Sequence, residues 1–350
     1  MSNRFFALSA IAVLMFGVFG FAVSDISSAQ ANKAQTTRLV GLLPASDGVA
    51  VFDSKRFLND ALPKVLSANQ PMLAEVMAKI TEMESRTGID LRKFDQVAVG
   101  VGIKQPAGKG MVFEPVAIAN GDINAGALVA VAKLASNRTY REEKIGEKSV
   151  YVFSTKDALK KAPVKVTNSK IAQIIDHGVN SLTHEVAVAT LDTNTLVLGS
   201  LARVRETLEG KSRVAADVVG LLSVKDTAVM SFSFKTVGGL AKLLPLDNDE
   251  LGKNFDAIQY LLGSLDVAAV GTSLHVSART SNPAQAQGLK DMLDGLAGFG
   301  KAILGNSKRT DQQVYGRMLK AARFDVRGSD MTLDLLVPQS DLDILIGGLK

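Results

Sequence analysis

The chain has no cysteine and no tryptophan, and only four tyrosines in 350 residues. Without cysteine there is no disulfide, thiol nucleophile, thiolate-held zinc or iron–sulfur cluster, or lipid attached through a cysteine. The scarcity of aromatics counts against surfaces that stack sugars or bases. Excess charge is also scarce. The formal net charge is +5, too small for a nucleic-acid footprint, so no nucleic-acid partner is expected. There is no Walker loop, no Gly-x-Ser-x-Gly elbow, no Ser-x-x-Lys nucleophile and no His-Glu-x-x-His motif. No cofactor or metal is implied.

What is present begins at the N-terminus. Arg4 is the only charged side chain before an apolar run from Phe5 to Val23. Ser24-Asp25-Ile26-Ser27-Ser28 follows, then Ala29-Gln30-Ala31. A basic start, an apolar core and a small-x-small site make residues 1–31 a secretory signal peptide. The run is long for a signal: about 19 helical residues nearly cross a hydrocarbon layer of about 30 Å. The alternative is an uncleaved anchor, which would touch the membrane through residues 5–23. Either way the body is expected outside the cytoplasmic membrane, periplasmic or extracellular. Removing 31 of the 350 residues leaves 319, enough for two ordinary domains or one large one.

Asn32 to Arg38 is polar and reads as a flexible lead-in. Gly48 to Phe52 reads as a strand, and Leu73, Val76, Met77, Ile80 and Met83 form a helical stripe ending near Gly88. Strands follow at Val97–Val101 and Val116–Ala119, around a turn-rich stretch from Pro106 to Gly110. Asn124 is placed to cap a helix from Ala125 to Leu134. Hairpins are expected at Tyr140–Ser154, turning at Gly146-Glu147, and at Val186–Gly199, with a short helix then ending at Gly210.

From Leu221 the plan restarts. Leu221-Leu222-Ser223-Val224-Lys225-Asp226 echoes Leu42-Leu43-Pro44-Ala45-Ser46-Asp47, and a strand at Ala228–Phe234 and a helix at Val237–Leu244 follow. Asp266 to Gly271 echoes Asp95 to Gly100. Asn282-Pro283 opens a long helix, and Phe324 to Val337 forms a hairpin around Gly328 that mirrors the one at Gly146. The expected fold is α+β: two similar modules of mainly antiparallel sheet covered by helices, an internal duplication, spanning residues 32–214 and 215–350. A single sheet running through both modules is the alternative.

Leu43-Pro44-x-x-Asp47 before a strand, and Thr87-Gly88-Ile89-Asp90-Leu91 before the pair at Val97, resemble features of a loose group of exported bacterial α+β proteins of unknown function. The resemblance implies an envelope or secreted protein and carries over no functional residue.

His177 and His184, seven apart beside Asp176 and Glu185, lack metal-binding spacing and read as structural; His275 reads as a residue on the face of a sheet. Gly100-Val101-Gly102 lacks the third glycine and the helix of a dinucleotide fingerprint. Gly298-Phe299-Gly300, inside a helix, reads as a packing or weakening feature. Met72, Met77 and Met83 read as core. Asp47, Asp53, Asp90, Asp95 and Asp122 are scattered carboxylates, and Asp47 and Asp226 recur at matching points, which suits turns or caps. Asn137-Arg138-Thr139 is a sequon only in a glycosylating host. Lys156, Lys160, Lys161, Lys165 and Lys170 form the strongest local charge excess, a solvated surface or a contact for anionic lipid or polymer.

The leading functional expectation is a non-catalytic exported protein that binds or scaffolds an envelope protein, lipid or polymer. The alternatives are a hydrolase using dispersed carboxylates, or a carrier of an apolar ligand, for which the mean hydropathy of +0.17 gives slight support.

Overall fold

The computed structural model describes residues 29–87, 89–104, 112–136, 139–154, 185–222, 227–236, 249–305 and 307–347. Residues 1–28, Gly88, Pro106–Gly110, the five lysines at 156, 160, 161, 165 and 170, His177, His184, Asp226 and Val237–Leu244 lie outside them.

Among the described residues, twelve strands pair in one antiparallel sheet. They are β1 (Gly48–Asp53), β2 (Phe94–Lys104), β3 (Val112–Gly121), β4 (Tyr140–Ile145), β5 (Lys148–Ser154), β6 (Glu185–Asp192), β7 (Thr195–Gly199), β8 (Ala228–Lys235), β9 (Ile258–Ala268), β10 (Gly271–Thr280), β11 (Arg323–Arg327) and β12 (Asp330–Pro338). The order across the sheet is β11-β12-β10-β9-β8-β1-β2-β3-β7-β6-β5-β4. The α+β class and antiparallel pairing expected from the hairpins are what the chain adopts. The sheet, however, runs unbroken from residue 48 to residue 338, with β1 and β8 paired near its middle, five strands to one side of the seam and seven to the other.

Outward from that seam the pairing is the same on both sides at first: β1, β2, β3, then the second strand of a hairpin; β8, β9, β10, then the second strand of a hairpin. The hairpin β11–β12 therefore occupies the place of β6–β7, not of the Gly146 hairpin that the sequence likens it to. Shared order does not show a duplicated sequence, and one of the echoes fails in structure. Asp95 to Gly100 lies within β2, whereas the strand from Asp266 stops at Ala268, and Ala269-Val270 is the two-residue turn to Gly271.

The two halves of the sheet differ in what covers them. In β3, Val116, Ala117, Ile118 and Ala119 are all fully buried. Side chains alternate between faces along a strand. Ala117 and Ala119 join a core beneath the helices Gln70–Thr87 and Ala125–Ala135, and Val116 and Ile118 join a second core on the other face. Pro115 is tolerated because β7 begins pairing only at Val116, so no neighbour on that side needs its N–H. Asn124 caps the helix Ala125–Ala135 by accepting from the Ala127 N–H at 2.9 Å, as its sequence position suggests.

The second core corrects the reading of Asn32 to Arg38. That stretch lies within a helix, Ala29–Leu42, packed on β1, β2 and β3. Leu39 and Val40, and Leu43 just beyond, are buried. Thr36 donates to Gln96 Oε1 at 3.1 Å, and Gln35 donates to Asn120 Oδ1. Polar residues misled the sequence reading because their partners are themselves buried polar groups, on β2 and β3.

A helix at Leu201–Glu209 completes this face, capped by Ser200 and ended by Gly210 at φ +64°. Its Arg203 is 4% exposed. The guanidinium donates to the Ala45 carbonyl at 2.9 Å and to Ser46 Oγ at 2.7 Å, and pairs with Glu206. It thereby pins the helix to the loop entering β1.

Candidate functional site

Past the seam, along β10–β12, alternation of apolar and mostly polar residues replaces the two-sided core. Along β10, Leu274, Val276 and Ala278 alternate with Ser273, His275, Ser277 and Arg279. Along β12, Met331, Leu333, Leu335 and Val337 alternate with Asp330, Thr332, Asp334 and Leu336. β11 does the same, with Phe324 and Val326 between Arg323, Asp325 and Arg327. The apolar set lies under helices. Ala278, Met331, Phe324 and Val326 pack with Leu289 and Leu293 of the helix Pro283–Leu304. Val267 and Val337 pack with Leu342 and Ile346 of the helix Gln339–Gly347. The helices Pro283–Leu304 and Gln339–Gly347 pack on this apolar side, which puts the polar set on the opposite face.

Directly opposed residues in antiparallel strands share a face. The pairing therefore lays the polar side chains out in rows. Lys235, Tyr260, Arg279, Asp330 and Arg327 form one row across β8, β9, β10, β12 and β11; Ser231, Ser264, His275, Asp334 and Arg323 form another. In the first row Arg279 makes a two-pronged pair with Asp330, at 2.7 and 2.8 Å, which raises the Arg279 pKa. Tyr260 donates to Asp217 Oδ2 at 2.6 Å. That bond, then the Val218 N–H and the Lys235 charge, hold the Asp217 carboxyl below its ordinary range; the same bond and burial push the Tyr260 phenol up, against the Lys235 charge.

In the second row His275 Nδ1 lies 2.7 Å from Asp334 Oδ1. This partner fixes the ring hydrogen on Nδ1 and leaves Nε2 of the neutral ring as an acceptor. Ser264, across the strand from His275, is 2% exposed. A cavity of about 650 Å³ is lined by Ser264, Asp266, Ser273, His275, Asp334 and Arg323 of the polar rows, by Leu274, Leu335, Leu336 and Pro338, and by Lys320 at the end of the helix Thr310–Ala321. That volume lies within the range of small-molecule sites, about 300–1,000 Å³.

His275 thus sits on a sheet face, as its sequence context suggests, but in a row that sequence reasoning did not assemble. Alternation in Ser273–Arg279 and Asp330–Leu336 was the available signal. The scattered carboxylates go elsewhere. Asp47 accepts from the Ile103 N–H at 2.7 Å and ties the start of β1 to β2. Asp53 accepts from the Arg56 N–H at 2.8 Å; burial raises its carboxyl, against that bond. Asp90 accepts from the Arg92 N–H and side chain, and Asp95 pairs with Lys55 at 3.4 Å. Asp122 is exposed. Met77 packs beside the core, whereas Met72 is 37% exposed. Gly300 lies against Leu319 and so packs closely, but Gly298 faces open space. No group of three or more metal-ligating side chains occurs among the described residues, and no helix among them is long and apolar enough to cross a membrane.

Fold and site together define an α+β protein with one twelve-stranded antiparallel sheet, helix-covered on both faces in one half and polar on one face in the other. No family model matches the chain, and no curated protein matches it. Among solved structures it is similar to TP0453. Crystal form III gives a TM-score of 0.41 at 12% identity, covering 89% of this chain and 98% of that one. Crystal form I gives 0.40 at 11% identity, covering 89% and 97%. The resemblance drawn from Leu43-Pro44 and Thr87–Leu91 gains no family from these comparisons.

Proposed function

We propose that the chain is an exported, non-catalytic binding or scaffolding protein, and that its envelope ligand meets the polar face of β9–β12. The observation carrying this reading is the cavity on strands whose apolar side is already spent on helices. The row Ser264, His275, Asp334 has the composition of a nucleophile, base and orienting acid. A hydrolase also needs donors aimed at a developing oxyanion. Here the neighbouring backbone N–H groups belong to strands paired on both sides, β9 with β8 and β10, and β10 with β9 and β12. That favours binding over acyl transfer.

Native mass spectrometry of the protein purified from its own envelope fraction tests this. The expected result is a bound small molecule or partner on the wild type. The variant Ser273→Arg/Asp334→Arg should lose at least nine-tenths of it, with melting unchanged within about 2 °C, because both positions are exposed. A ligand retained by the variant would refute the site. Turnover of ester, glycoside or peptide substrates abolished by His275→Ala would refute the non-catalytic reading. The intact mass also reads whether residues 1–31 are removed.

A further inference from the structure

The helix Pro283–Leu304 carries an apolar flank that its own fold covers only in part. At 3.6 residues per turn, Gly288, Met292, Leu296, Phe299 and Ile303 fall along one side. The helix Asp249–Asp256 covers the first two. Asn254 Oδ1 lies 3.4 Å from where a Gly288 Cβ would stand, and Asn254 Nδ2 lies 3.8 Å from Met292 Sδ. The last three are 48%, 69% and 57% exposed. Gly295 and Gly298, facing solvent beside them, have open space where a side chain would be. Between Leu293 and Leu304 the charges are Asp294 and Lys301, about 140° and 200° around the helix from Phe299, and Asp294 is paired with Lys290.

We propose that this flank is a homodimer contact, in which the helix Pro283–Leu304 packs antiparallel on the same helix of a second copy, about a two-fold axis near Phe299. Charge selects this occupant and this direction. Asp291 precedes Phe299 by eight residues and Lys308 follows it by nine, and both are exposed. Lys308 lies four residues past the helix end at Leu304, so in an antiparallel pair the Asp291 end of each helix meets the Lys308 end of the other. In a parallel pair like charges would face each other. A two-fold contact uses one patch twice and closes on itself, so no second exposed patch remains. The uncharged centre brings no like charges together on the axis, and the bare glycines let the backbones approach. One helix on each side makes a small interface, so the dissociation constant is expected on the order of 10 µM.

Sedimentation equilibrium of the purified full chain decides it, over a concentration range reaching about twenty times that constant. The expected outcome is a monomer–dimer equilibrium. Phe299→Lys should weaken it at least tenfold without lowering the melting temperature, since the side chain is exposed. Asp291→Lys should weaken it three- to tenfold, and Asp291→Lys/Lys308→Asp should restore it. A single-copy mass at the highest concentration overturns the proposal, as does a dimer indifferent to Phe299→Lys. A monomer that floats with phosphatidylglycerol vesicles, and ceases to when Phe299 is replaced by lysine, overturns it in favour of a lipid surface.

Discussion

Gly271→Ala is expected to lower the unfolding free energy by about 4 kcal/mol, from a forbidden backbone conformation and a clash that add. Gly271 has φ +144°, a region that side-chain-bearing residues rarely enter. A Cβ there would stand 2.2 Å from the Val337 carbonyl oxygen and 2.9 Å from Pro338 Cα. Both obstacles are backbone, so β12 itself must move. Gly328 is the control. It turns β11 into β12 at φ +60°, with nothing within 4 Å of its would-be Cβ. Gly328→Ala should cost only about 1–2 kcal/mol, the ordinary left-handed penalty. Urea denaturation of the two variants gives the comparison. Equal losses would mean that β10 and β12 yield readily at Gly271. The expected inequality would mean that the register holding His275 against Asp334 is fixed from this turn, because Gly271 and Pro338 are the first pair of the same ladder.

That ladder shows how much of the molecule could be read in advance. Most strands and caps were legible because their signals are local: Asn124 before Ala125, Gly146 and Gly210 at positive φ, and Asp192-Thr193-Asn194 between two apolar runs. Sheet order was not legible, because β1 pairs with β8 across some 180 residues and nothing local encodes that meeting. The likeness of Asp266–Gly271 to Asp95–Gly100 was a coincidence of apolar residues, since one segment lies within a strand and the other runs from a strand end into a turn.

The candidate site was half legible. Val116-Ala117-Ile118-Ala119 is apolar at every position and must be covered on both sides, whereas Ser273-Leu274-His275-Val276-Ser277 alternates and needs cover on only one. Comparing those two patterns finds the open face. It does not find the rows, because which serine opposes which histidine depends on register. The charged edge strands were readable as well. Arg323, Asp325 and Arg327 on β11, and Arg141, Glu142, Glu143 and Lys144 on β4, guard the two ends of the sheet against further pairing.

Leu39→Ala is expected to cost about 3–4 kcal/mol, and Leu43→Ala a similar amount, as for fully buried leucines whose cavities close poorly. Both side chains are wholly inaccessible, packed with Val49, Val51, Ala98, Val116 and Ile118. A segment lying outside the packed fold would tolerate either change, so urea denaturation tests whether this helix is part of it. A loss below about 0.5 kcal/mol, the range of ordinary surface changes, would place the helix outside the cooperative fold. The same helix bears on export. Cleavage after Ala31, the expectation from the sequence, would fall inside Ala29–Leu42 and leave residues 32–42 as its shortened remnant. The contacts described for this helix begin at Gln35 and Thr36 and run through Leu39 and Val40, so all of them survive the cut. A chain beginning at Asn32 should therefore match the stability of one beginning at Ala29 within about 0.5 kcal/mol. One beginning at Leu39, without the Gln35 and Thr36 hydrogen bonds to Asn120 and Gln96, should lose several times that, because buried amides left with fewer partners cost about 1–3 kcal/mol each.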